Sequence, residues 1–209
     1  MNATVDLLPR SSKTHGTPTD YILDRTLLRP RDAIAFVNDC LLAGRGKSRL
    51  SWDDIRTAEG SYSKNRYLAL RDEWKVSYPG VEKVLEVFRD AALPLSREQF
   101  TERLDEAMLL IASSDFPGTR WMTELSAPMW SAGAGDRDWT ELYHPLVKFL
   151  FEIGLIGLAS SRGEAPAYSS DDPEFAELQG NLESIRFVYI HPAFRPALNS
   201  KPPRATSRK

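Results

Sequence analysis

Arg29 and Arg31 stand on either side of Pro30, in a run Thr26-Leu27-Leu28-Arg29-Pro30-Arg31-Asp32 that leads straight into the apolar Ala33-Ile34-Ala35-Phe36-Val37. Proline fixes φ near the helical value and has no N–H to leave unpaired, so Pro30 can open a helix. Asp32 then falls in the first turn, where a carboxylate complements the positive end of the helix dipole. An anion in front of this helix start would meet two guanidinium forks, whose donors match carboxylate and phosphate oxygens. On residue types alone the commoner situation is two solvated arginines at an ordinary helix start, and both readings stand at this point.

A second set of basic residues has the chemistry for nucleic acid. Ser51 to Asp54 has capping-box form and starts a helix through Trp52, Ile55 and Ala58; a break near Gly60 would let a second helix run from about Tyr62 through Leu68, Leu70 and Trp74. Such a helix-turn-helix-like pair would open its second helix with Ser61, Ser63, Lys64, Asn65 and Arg66, with Arg45, Lys47 and Arg49 as further phosphate contacts in the loop before the first. The competing reading is one long, bent surface helix with solvated charges, and Glu59, Asp72 and Glu73 dilute the positive field that DNA affinity requires. Gly44-Arg45-Gly46-Lys47-Ser48 ends like a phosphate-binding loop, but that motif needs a glycine where Leu41 stands and a strand, not a helix, ahead of it.

The remaining chemistry-bearing residues do not converge. His15, His144 and His191 show no metal-ligand spacing, and each of the last two precedes a proline, so structural roles are expected for both. Cys40 falls on the apolar stripe Ile34, Val37, Cys40 and Leu41, which predicts a buried packing thiol. The adjacent pairs Asp53-Asp54 and Asp171-Asp172 point apart on a helix or sit in a loop, which is no acid/base dyad. We therefore expect no catalytic residues, no metal, no cofactor of the chain's own and no enzyme activity from the chain alone.

The elements that carry these residues follow from local signals. At 209 residues the chain has room for one large or two small domains, and 42% hydrophobic with 27% charged residues is ordinary for a globular protein. Lys+Arg 27 against Asp+Glu 29 gives a formal charge of −2, with no global pull towards nucleic acid or anionic lipid. No stretch approaches the ~20 apolar residues of a membrane span, and a lone cysteine rules out an internal disulfide. A cytoplasmic protein with no membrane partner is the expectation.

Residues 1–16 are rich in Pro, Gly, Ser and Thr and are expected to be disordered. Thr17-Pro18-Thr19-Asp20 caps a short helix through Tyr21-Ile22-Leu23, and Ser96-Arg97-Glu98-Gln99 is a capping box for a helix with Phe100, Leu104, Met108 and Ile111 at core spacing. From Ser113 to Asp136 the composition shifts to Gly, Pro, Ser and Ala around Trp121 and Trp130, which predicts a module boundary with buried tryptophans. A helix from Asp138, a strand near Gly154 to Leu158, a polar insert and a strand from Ile185 to Ile190 follow, in the order of a winged helix. Between Asp138 and Leu198 four basic residues, Lys148, Arg162, Arg186 and Arg195, face nine acidic ones, so this module would repel a phosphate backbone.

The expected fold is mainly α. Residues 17–114 form a helical, lid-like module with the helix-turn-helix-like pair, 115–199 a winged-helix-like module with a small antiparallel β-sheet, and 200–209 a basic, flexible tail.

Asp20-Tyr21-Ile22-Leu23-Asp24-Arg25 and Thr26 to Asp32, then Ala58-Glu59, Tyr62-Ser63, Asp72-Glu73-Trp74, Tyr78-Pro79 and Ile190 to Arg195, resemble the region that follows the ATPase core in a family of bacterial P-loop ATPases similar to signal-transduction and defence ATPases. The resemblance implies that Arg29 or Arg31 senses the terminal phosphate of ATP held by a core. This sequence has no Walker A loop and no magnesium-binding acid after a strand, so ATP would come only through a partner or parent ATPase. It further implies a non-catalytic regulatory or interaction module of such a system, phage defence among the roles it suggests, that transmits or reads nucleotide state with a P-loop ATPase core or other protein as partner. The alternative is a DNA-binding protein using Arg45, Lys47, Arg49, Lys64, Asn65 and Arg66.

Overall fold

The computed structural model describes residues 7–117, 120–126 and 139–201. Among these, seven α-helices and one three-stranded antiparallel sheet make the chain mainly α. It divides into two compact units, Met1–Leu68 with Pro192–Ala197, and Ala69–His191 with Leu198–Lys209.

The first unit contains α1 (Pro18–Leu23), α2 (Pro30–Ala43) and α3 (Trp52–Trp74) as far as Leu68. Both proline starts are where the sequence puts them, and the Thr17 side chain accepts from the Asp20 N–H. The break expected at Gly60 is absent: α3 runs unbroken, so there is no helix-turn-helix-like pair here. Buried Ile55, Ala58, Tyr62, Arg66 and Leu70 recur at helical spacing straight past the exposed Gly60. A continuous buried stripe outweighs one glycine, which costs only about 1 kcal/mol in a helix.

Two further expectations change in this unit. The buried face of α2 is Asp32, Phe36 and Cys40, with Phe36 stacked on Tyr62 at 4.6 Å, whereas Ile34 and Leu41 of the expected core stripe point outward. Residues 7–16, expected to be disordered, are tied down: Leu50 N–H donates to Leu7 O, Arg49 Nε to Leu8 O and Trp52 Nε1 to Arg10 O. His15 packs its ring against Tyr21 and Trp52.

The second unit orders α4 (Val81–Glu86), β1 (Leu95–Ser96), α5 (Arg97–Ile111), a π-helical turn (Trp121–Leu125), α6 (Trp139–Glu152), β2 (Ile156–Ala159), α7 (Gln179–Ser184) and β3 (Phe187–Ile190). The sheet order is β1-β3-β2, with Leu158 opposite Val188 and Leu95 opposite Val188 on its other side. Both halves of the Ser96–Gln99 capping box form, so α5 starts where the sequence places it. The composition shift after Ser113 predicts a boundary at 114/115, but β1 lies before it and pairs with β3, and the compact units divide elsewhere.

Trp121 is fully buried beside Tyr78, Phe116 and Phe149, and its indole N–H donates to Pro79 O at 2.8 Å. Trp130 lies outside the described residues. At the end of the described chain Lys201 is held by backbone bonds to Ala91 and Leu93, while the rest of the expected basic tail also lies outside them.

Candidate interaction site at the head of helix α2

Arg29 caps α2 in an extended conformation, and the N–H groups of Asp32 and Ala33 both turn back on its carbonyl. Pro30 has no N–H, so most first-turn main-chain donors are absent or used, and what this helix start offers an anion is its guanidinium groups. Arg29 is exposed, and the Arg31 side chain is 61% exposed, with Nε 3.5 Å from Asp32 Oδ1.

Beneath them Asp32 and Arg66 form a buried ion pair, both side chains 5% exposed, with Arg66 Nη1 3.7 Å from Asp32 Oδ1. Asp32 Oδ2 and the Tyr62 hydroxyl make no hydrogen bond among the described residues. Burial first, and then the Asp32 charge, pushes the Tyr62 phenol above its ordinary value. The head of α2 is thus two surface arginines backed by a buried carboxylate, phenol and guanidinium.

Several residues that carry the family resemblance serve the fold. Tyr21 Oη donates to Glu59 Oε2 at 2.6 Å, Arg25 Nε to Glu59 Oε1 at 2.6 Å, and the Arg25 guanidinium lies 3.3 Å over the Tyr21 ring. Burial, and then the bond to Glu59, raises the Tyr21 phenol to about 12. Ser63 is fully buried and its Oγ accepts from Ala197 N–H.

The residues of the DNA alternative divide between interior and surface. Arg66 and Ser63 are interior, leaving Lys64 and Asn65 on the outside of α3. Arg45 is exposed in the loop, but Lys47 Nζ lies 2.7 and 2.9 Å from the two Asp54 oxygens, and Arg49 spends Nε on Leu8 O beside a cleft of about 650 Å³.

Lys47, followed by the Ser51 hydroxyl and N–H, draws the Asp54 carboxyl down to about 2. Because the folded value lies below the unfolded one, this ion pair contributes fully above ~3.9 and its contribution is lost as pH falls towards about 2. Lys47→Met is expected to move the Asp54 midpoint up towards the ordinary carboxylate value, read by carboxyl-carbon NMR titration, and to weaken the acid-dependent limb of stability.

The other singled-out residues are structural. Burial raises the Cys40 thiol to about 12, as suits a packing thiol. His144 Nε2 bonds to Ala176 O at 2.9 Å, and His191 is buried against the Tyr168 ring. Among the described residues no group of three or more His, Cys, Asp or Glu could hold a metal ion, and no helix is long and apolar enough to cross a membrane.

Residues 2–71 match a family model described as a FunZ-associated C-terminal helical domain. The matched span, about a third of the chain, takes in α1, α2, most of α3 and Arg29, Arg31, Arg45, Lys47, Arg49, Lys64 and Arg66. No curated protein and no solved structure matches the chain.

Proposed function

We propose that this chain is a non-catalytic accessory module of a bacterial P-loop ATPase system, presenting Arg29 and Arg31 to nucleotide held by a separate core. The observation that carries the reading is the pair of surface arginines set over the buried Asp32–Arg66 pair, which fixes the base of the helix start while leaving guanidinium groups outward. The matched family description, a FunZ-associated C-terminal helical domain, supports an accessory role. A reducing cytoplasm is the compartment this reading requires.

The second unit is read as a winged-helix module, a reading supported by its order of a helix, a short strand, two helices and two further strands joined by a long insert, with the sheet order β1-β3-β2. In such a module α6 stands where a recognition helix would enter DNA. Here the insert between β2 and β3 lies over α6: Phe175 packs on Phe151, Ala176 O takes the His144 bond, and Lys148 pairs with Glu177 and Glu152. The lone lysine of α6 is paired with carboxylates, and the exposed Glu141 and Glu152 of the same helix add negative charge, which favours protein contact over DNA reading.

The test is capture of the tagged chain in its native cytoplasm with ATP or ADP, with and without nuclease. Recovery of a P-loop ATPase is expected to depend on the nucleotide, and Arg29→Ala with Arg31→Ala is expected to remove that dependence while thermal stability holds. Recovery of nuclease-sensitive nucleic acid and no ATPase, lost in Lys64→Glu, would overturn it.

A further inference from the structure

Of the eight large apolar side chains exposed among the described residues, five lie between Leu23 and Leu42: Leu23, Leu28, Ile34, Leu41 and Leu42. Ile34 is 62% and Leu42 70% exposed. At about 100° per residue, Arg31, Ile34, Asn38, Leu41 and Leu42 fall on one strip of α2 roughly 100° wide and ~16 Å long, opposite the buried Asp32, Phe36 and Cys40. A helix that is apolar on both faces ordinarily has both faces covered. Leu28, just before the helix, is held in the left-handed region at φ 52° and is 54% exposed, a backbone conformation leucine adopts only against a steric penalty.

The charges on this strip have one sign. Arg31 stands at its head and exposed Arg45 just past its C-cap, Gly44, while Asp32 turns inward and Asp39 is half-buried off the strip. We propose that the outer face of α2 docks an amphipathic helix of a partner protein whose apolar stripe is flanked at both ends by Asp or Glu. Charge complementarity selects this occupant. A second copy packed antiparallel on the same face would set Arg31 over Arg45, and one packed parallel would set each arginine over itself, so self-pairing is repulsive either way. Between the two arginines the strip carries no further positive charge, which leaves a phosphate backbone little to bind. This surface shares Arg31 with the nucleotide-sensing reading but is built on Ile34, Leu41 and Leu42, which that reading does not use, so loss of peptide binding in an Ile34 and Leu42 variant is read separately from loss of nucleotide dependence.

The experiment uses the full chain and two fluorescent synthetic helical peptides with the same leucine stripe, one ending in glutamates and the other in lysines. The glutamate-ended peptide is expected to bind about tenfold more tightly by anisotropy, with the difference shrinking as salt rises. Ile34→Asp with Leu42→Asp should abolish binding while the far-UV circular dichroism and melting curve stay as in wild type, because both side chains are already exposed. Arg45→Ala should narrow the preference without removing binding. Equal affinity for the two peptides, or none for either, would overturn the proposal. So would a wild-type dimer that the double aspartate variant turns into a monomer in sedimentation, or duplex DNA binding lost in that variant.

Discussion

Arg66→Ala is expected to lower folding stability by about 3–5 kcal/mol, the range found when one partner of a buried ion pair is removed. Arg66 and Asp32 are each 5% exposed, so alanine at 66 strands a carboxylate whose Oδ2 already makes no hydrogen bond among the described residues. The size of the effect therefore comes mainly from a desolvated charge left uncompensated. Arg31, on the rim at 3.5 Å, is too exposed to replace it. Lys64→Ala, two residues away on the outer side of α3, should stay within about 0.5 kcal/mol of wild type. Replacing both partners together, Asp32→Leu with Arg66→Met, should recover most of the loss, because apolar side chains of similar size avoid the cost of burying charge. Urea denaturation followed by far-UV circular dichroism reads all three variants. If Arg66→Ala behaves like Lys64→Ala, the pair is not the base of the arginine site and Arg66 is available to a ligand. The same reasoning makes charge reversal at Arg66 a poor probe of DNA binding, since it would report unfolding.

How far the sequence speaks for itself depends on the range of the signal. Thr17-Pro18, Pro30 and the Ser96–Gln99 box involve groups within four residues of one another, and all three helix starts stand where those residues place them. The strands β2 and β3 are legible because both are short apolar runs after turn residues, whereas the two-residue β1 has no pattern of its own and exists only through pairing with β3. Gly60 misleads because a local breaker is weighed without the stripe on either side of it. Counting Ile55, Ala58, Tyr62, Arg66 and Leu70 at helical spacing would have shown one helix, and would have put an arginine on its buried face. Its partner Asp32 sits far back in the chain, and nothing in the sequence marks that long-range contact. On α2 the apolar residues are spread widely enough to admit two faces; Phe36, which stacks on Tyr62, takes the inner one. The arginines of the candidate site are legible as a helix start, but their buried support is not.

Trp121→Ala should produce the other large loss, about 3–5 kcal/mol, because the side chain is fully buried among aromatic rings that cannot close the space it leaves. Its centroid lies 5.3 Å from Tyr78, 5.7 Å from Phe116 and 5.4 Å from Phe149, and all three rings meet it edge-on or nearly so. Edge-to-face contacts of this kind add to the area buried, and each is lost outright when the indole is removed. A second variant separates packing from hydrogen bonding. Trp121→Phe keeps an aromatic ring but takes away the donor to Pro79 O at 2.8 Å, leaving that carbonyl unpaired, and is expected to cost about 1–3 kcal/mol including the smaller ring. Chemical denaturation followed by far-UV circular dichroism measures both without relying on indole fluorescence, which the substitutions themselves change. The neighbouring turn leaves little room to adapt: Gly80 has φ 88°, and a Cβ there would come within 2.9 Å of the Phe116 ring. Equal losses in the two variants would assign the stability to the Pro79 bond. The expected larger loss in alanine assigns it to the aromatic cluster, and so to Tyr78, Phe116, Trp121 and Phe149 packing together inside the second unit.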